Sequence, residues 1–120
     1  MRRMKFVAMA VLALGGCSAV KVAHEVRYTG TLPGCGLGGS TLTRRGDRFA
    51  FAPGDGVLTI LGPVAPDGGF SGTLNTEPPD KPAFVLSVHG TIGEETAVLD
   101  YATPRCQARA TFARAHLPLL

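Results

Sequence analysis

The chain has 120 residues, the length of one small domain. Its formal charge is +3, from 12 lysines and arginines against 9 acids, and the excess is carried by Arg2, Arg3 and Lys5 at the very start. The remainder is balanced, so it offers no basic surplus for nucleic acid or an anionic surface.

Arg2, Arg3 and Lys5 precede an uncharged apolar run from Phe6 to Leu14, followed by the small residues Gly15 and Gly16. The run is too short to cross a bilayer, which takes about 20 residues. Its order of charge, apolar stretch and small residues predicts a secretory signal peptide over 1–16. Leu14-Gly15-Gly16-Cys17 resembles the lipobox of bacterial lipoproteins, an aliphatic residue, two small residues and then cysteine. The resemblance implies that Cys17 becomes the mature N-terminus and carries thioether-linked diacylglycerol, usually with a further N-acyl chain. Membrane lipid is then a partner, because two or more chains hold stably where one is marginal. Ser18 stands where lipoproteins retained in the inner membrane carry Asp, which implies the periplasmic face of the outer membrane. Residues 17–24 form a lipidated N-terminus and short tether, 25–114 the folded domain, and 115–120 an apolar tail.

With Cys17 assigned to lipid, Cys35 and Cys106 remain. In an exported chain such a pair is expected to form a disulfide. Its long loop predicts a contribution of roughly 4 kcal/mol in the chain-entropy account. The competing reading is a free reactive thiol, for which neither cysteine has the CxxC pattern.

From His24 onward the text is that of short strands, punctuated by 16 glycines and 9 prolines across the chain. The first strand spans 24–32, with Val26, Tyr28 and Leu32 on one face. A glycine-rich loop over 33–39 carries Cys35. Strands at 40–44 and 48–52 form a hairpin around Arg45-Gly46-Asp47, with Phe49 and Phe51 on a shared face. Pro53-Gly54-Asp55-Gly56 is a turn, followed by a strand at 57–62. Pro66-Asp67-Gly68-Gly69 is the next turn, and 70–74 the next strand. Pro78, Pro79 and Pro82 make 75–82 an exposed loop, since consecutive prolines cannot feed a sheet ladder. The longest strand is 83–92, with Phe84, Leu86, Val88 and Ile92 inward. Strands at 96–101 and 106–114 complete the domain, the last with Cys106, Ala108, Ala110 and Phe112 on its inner face. These elements predict an all-β fold, a small antiparallel meander of about eight strands, closed as a barrel or flattened as a two-layer sandwich, with one disulfide. Gly30, Ala108 and Ala110 leave either a hollow or room for Phe49, Phe51 and Phe84; the packed core is the expectation.

Several chemical patterns dissolve on inspection. Gly34-Cys35-Gly36-Leu37-Gly38-Gly39 fits G-x-G-x-x-G, but strand text follows where a dinucleotide site needs a helix. His24, His89 and His116 lack the spacing of metal ligands. His89, Asp100 and either Ser71 or Ser87 supply the residue types of a hydrolytic triad without a nucleophile elbow. Asp55 and Asp67 each precede glycine in a turn. Arg44, Arg45 and Arg48, and Arg105, Arg109 and Arg114, form two local basic clusters, read as solvated strand faces and turns. The expectation is therefore a non-catalytic envelope lipoprotein without cofactor or metal, a structural or protein-interaction module with an envelope protein as partner and no nucleic acid. The alternatives are a carrier or binder of a small apolar ligand, or a periplasmic enzyme inhibitor.

Overall fold

The computed structural model describes residues 24–54 and 56–116. The leader, the lipobox with Cys17, Asp55 and the tail over 117–120 lie outside the described residues. Eight strands follow one another: β1 Glu25–Gly30, β2 Ser40–Arg45, β3 Arg48–Ala52, β4 Ile60–Pro63, β5 Gly69–Thr76, β6 Phe84–Ile92, β7 Thr96–Ala102 and β8 Gln107–Arg114. They form one antiparallel sheet in the order β4-β3-β2-β1-β8-β7-β6-β5. The chain thus makes two consecutive four-stranded meanders, joined where β1 pairs with β8 through Tyr28 opposite Arg114 and Thr29 opposite Ala113. The free edges, β4 and β5, curl toward each other and touch at an isolated bridge between Val64 and Phe70. The Ala65 amide adds a hydrogen bond to the Gly69 carbonyl at 2.8 Å. The result is a nearly closed barrel, which resolves the choice between barrel and sandwich.

The period of two in the sequence sets the inside and outside. β8 alternates exposed and buried from Gln107 to Ala113, turning Ala108, Ala110 and Phe112 inward. Leu42, Phe51, Ile60, Leu99 and Phe112 have no exposed surface. The Phe51 ring lies 5.9 Å from Phe112 and 5.7 Å from Tyr101, tilted in both cases. The Phe112 ring fills the space that Gly30 leaves: a Cβ on Gly30 would stand 2.5 Å from the Phe112 Cδ1. The interior is therefore filled by side chains, as expected for a barrel of eight strands.

Several strand boundaries differ from expectation, and β1 already ends at Gly30, not at Leu32. The fourth strand begins at Ile60, not at Val57. Gly54 and Gly56 both hold positive φ, 62° and 81°, and extend the turn after β3. Pairing with β3 starts only at Phe51 opposite Ile60, which leaves Val57 78% exposed. The fifth strand runs on to Thr76 instead of stopping at Leu74, because the long β6 supplies partners, Val85 for Asn75 and Phe84 for Thr76. The proline-rich loop accordingly shortens to 77–83.

Closure needs strands to approach more closely than side chains allow. Gly62 and Gly72 face each other across the seam between β4 and β5. A Cβ on Gly62 would stand 2.9 Å from the Ser71 carbonyl oxygen, and one on Gly72 3.1 Å from that of Leu61. In β6, Gly90 sits on the inward face between Val88 and Ile92, opposite Leu99. A Cβ there would collide with the Val98 carbonyl oxygen and stand 2.7 Å from the Leu99 Cα. Backbone on a neighbouring strand cannot swing aside as a side chain can. Gly90→Ala is therefore expected to lower stability by about 3 kcal/mol, the upper part of the overpacking range. Urea denaturation measures it, and an unchanged midpoint would refute the tight approach of β6 and β7.

The outer face carries ion pairs. The Glu25 carboxylate accepts hydrogen bonds from Arg45 at 2.7 Å and from Arg27 at 3.3 Å. Its hydrogen bond from Arg45 leads in holding its pKa below the ordinary 4.5. A depressed carboxylate pKa stabilises the fold above the unfolded value, and that contribution disappears as pH falls through the folded one. The urea midpoint should thus drop as pH is lowered below about 4.5, the ordinary value for this carboxyl. In Glu25→Gln part of that drop should vanish; identical pH profiles for the two proteins would exclude the effect.

Candidate functional site

An up-and-down barrel sorts its connections to two ends. The turns over 46–47, 64–68 and 93–95 lie at one end, together with the start of β1 and the finish of β8. The connections over 31–39, 53–59, 77–83 and 103–106 lie at the other and form a mouth. The turn end is tight and self-satisfied. The Gly68 amide bonds to the Ala65 carbonyl at 2.8 Å, and the Tyr28 hydroxyl donates to the Gly93 carbonyl at 2.6 Å. Burial chiefly pushes the Tyr28 pKa up, so the phenol stays protonated as that donor. A shallow hollow of about 350 Å³ remains beside Tyr28 and Arg114.

The mouth is built differently. Cys35 and Cys106 are joined as a disulfide, with their Cα atoms 5.3 Å apart. It clamps the loop after β1 to the turn before β8. That turn is pre-formed by Thr103, whose hydroxyl accepts the amides of Arg105 at 3.1 Å and Cys106 at 3.0 Å. Cys106 is partly buried rather than shielded, because the bridge lies in the wall of a cleft. Ser40 ties a third loop to these two. Its buried hydroxyl accepts the Gly54 amide at 2.9 Å, fixing the turn after β3.

The cleft measures about 670 Å³ and takes residues from all four loops. Leu37, Leu58, Phe84, Leu86, Tyr101 and the bridge give it apolar walls, while Lys81 and Arg105 are the charged residues among the described ones that line it. Burial raises the Tyr101 pKa, which keeps this wall uncharged. Below the floor the barrel is packed, so the concavity belongs to the mouth and not to the interior. An apolar concavity with a few polar groups is the usual form of a binding site.

The other patterns fall elsewhere. Ser71, His89, Asp100 and Arg109 occupy one register row across β5, β6, β7 and β8. The Arg109 guanidinium grips Asp100 with two bonds of 3.0 Å, and His89 Nε2 lies 3.4 Å from the same carboxylate. Among the described residues Ser71 makes no hydrogen bond to His89, and the row lies on the convex outer face. It is a charged surface row without a concave site. Ser87, the other serine considered, lies opposite Ala102 of β7, off that row. Gly34–Gly39 forms part of the mouth loop and leads into β2, not into a helix. Asp67 accepts the Gly69 amide at 2.9 Å, a turn role. His24 stands just before β1, and His116 lies 3.1 Å from Glu95. Among the described residues, no three His, Cys, Asp or Glu gather as metal ligands.

Sequence reasoning located Cys35 and Cys106 but missed the cleft around them. One signal was present: Ser40 shares the inward face with Leu42, and a polar residue at an inward position marks a built contact. Leu58 and Lys81 gave no signal, because each belongs to a loop whose partners are distant in sequence. No protein-family model, curated protein or solved structure matches the chain.

Proposed function

We propose that the chain is a lipid-anchored protein of the bacterial cell envelope, a non-catalytic interaction module that presents the barrel mouth to its partner. The observation that carries this reading is the placement of the mouth relative to the chain ends. β1 begins and β8 finishes at the tight-turn end, opposite the four long loops. An acylated Cys17 stands seven residues before His24, a reach of at most about 25 Å. Such an anchor sets the turn end against the membrane and turns the apolar cleft outward. The Cys35–Cys106 disulfide suits the oxidising compartment to which the lipobox-like leader would deliver the chain. Ser18 favours the outer membrane, facing the periplasm.

The anchor is tested by Cys17→Ala. The unaltered protein is expected to sediment with membranes in detergent-free fractionation, with an acylated N-terminal cysteine by mass spectrometry. The variant is expected in the soluble fraction. Equal sedimentation of both, or an unmodified N-terminus, would overturn the reading.

A further inference from the structure

We propose that the mouth binds a medium-chain fatty carboxylate, its acyl chain against Leu37, Leu58, Phe84 and Tyr101 and its carboxylate beside Lys81 and Arg105. The inference rests on the mouth being the binding face and names the chemistry of what it holds. Charge complementarity selects the occupant. Among the described residues the cleft wall carries two cations and no carboxylate; Glu77 and Asp80 belong to the same loop as Lys81 but do not line it. Among the described residues the side chains of Lys81 and Arg105 form no ion pair, whereas those of Arg27, Arg45, Arg109 and Arg114 each do. The two cations therefore line the cleft without a counter-ion among the described residues. A guanidinium matches a carboxylate with paired hydrogen bonds, and an ammonium adds a second positive charge.

The rest of the wall excludes other occupants. A peptide laid in the cleft would bring backbone donors and acceptors to a surface of leucine and aromatic rings that leaves them unsatisfied. An alkyl chain brings none. A volume of about 670 Å³ suits a small amphiphile, inside the range of roughly 300–1,000 Å³ typical of small-molecule sites. Because Phe51 and Phe112 are fully buried beneath it, the alkyl chain lies across the mouth instead of threading the barrel.

The full chain carrying Cys17→Ala, which brings no acyl group of its own, is titrated calorimetrically with octanoate, decanoate and dodecanoate below their micellar concentrations. Saturable one-to-one binding is expected, strengthening about fourfold for each added methylene. Replacing both cations, Lys81→Gln with Arg105→Gln, should weaken dodecanoate about tenfold, and dodecanol should bind about tenfold more weakly than dodecanoate. Leu58→Asp, on a loop outside the barrel core, should weaken dodecanoate while leaving the urea midpoint unchanged. No saturable binding, equal affinity for dodecanol, or indifference to these substitutions would overturn the proposal. The titration is independent of the anchor: a chain that sediments with membranes yet ignores dodecanoate keeps the anchored module and loses this ligand.

Discussion

Converting Cys35 and Cys106 together to serine is expected to lower the unfolding free energy by about 4 kcal/mol. The bridge closes a separation of 71 residues, from the first loop of the domain to its last turn. The unfolded chain without it regains the conformational freedom of that whole loop, while the folded chain keeps its eight strands. A small domain has only about 5–15 kcal/mol in total, so the loss is a large part of the whole. The mouth should suffer further. Cys35 and Cys106 both stand in the cleft wall, and the β1–β2 loop is otherwise held by the Leu32 side chain, a 3.3 Å bond from the Cys35 amide to the Leu32 carbonyl and a 3.5 Å bond from the Ser40 hydroxyl to the Gly38 carbonyl. Urea denaturation of the paired-serine variant beside the oxidised protein gives the number. A shift well under 1 kcal/mol would mean that the bridge is ornamental to the fold. Dodecanoate affinity retained in full by that variant would mean that the cleft does not depend on it.

Phe112→Ala is expected to cost about 4 kcal/mol, within the range for removing a buried aromatic ring. Phe112 is fully buried, stacks obliquely against Phe51 at 5.9 Å and covers the bare Cα of Gly30. Gly30 has no side chain to take up the vacated space. A second pair of substitutions tests the complementarity directly. Gly30→Ala and Phe112→Leu should each destabilise, yet their combination should cost less than the two costs added, since the smaller side chain makes room for the new methyl. Thermal or urea unfolding of the four proteins closes the cycle. Strict additivity would show that Gly30 and Phe112 do not share one space.

The sequence carried the strand pattern well because alternation is a local property. Ala108, Ala110 and Phe112 share a face whatever β8 packs against, and the structure places all three inward, while Cys106, just before the strand, is partly buried in the cleft wall. The turns were legible for a similar reason: Gly46, Gly54 and Gly68 sit at positive φ, where glycine is favoured. Strand ends were less legible. Val57, Leu58 and Thr59 have strand-forming side chains, but the register of β3 with β4 ends at Phe51 opposite Ile60 and does not include them. The cleft was hidden almost entirely. Leu37, Leu58, Lys81 and Arg105 lie on four different connections, and only the curvature of the closed sheet assembles them. That curvature depends on Gly62, Gly72 and Gly90, whose meaning emerges only once the opposing strand is known.

The junction of β4 with β5 has a kinetic consequence. Each four-stranded half is a run of hairpins whose pairings join sequence neighbours, so each can zip from its own turns. The register of β1 against β8 links residues at opposite ends of the domain, whereas the Val64–Phe70 bridge joins residues across a single turn and can form locally. Loop-closure entropy falls on that single remote pairing. Folding is thereby divided into two quick local assemblies and one slower docking of the halves, and an oxidised Cys35–Cys106 bond hastens the docking by holding the distant ends near each other beforehand.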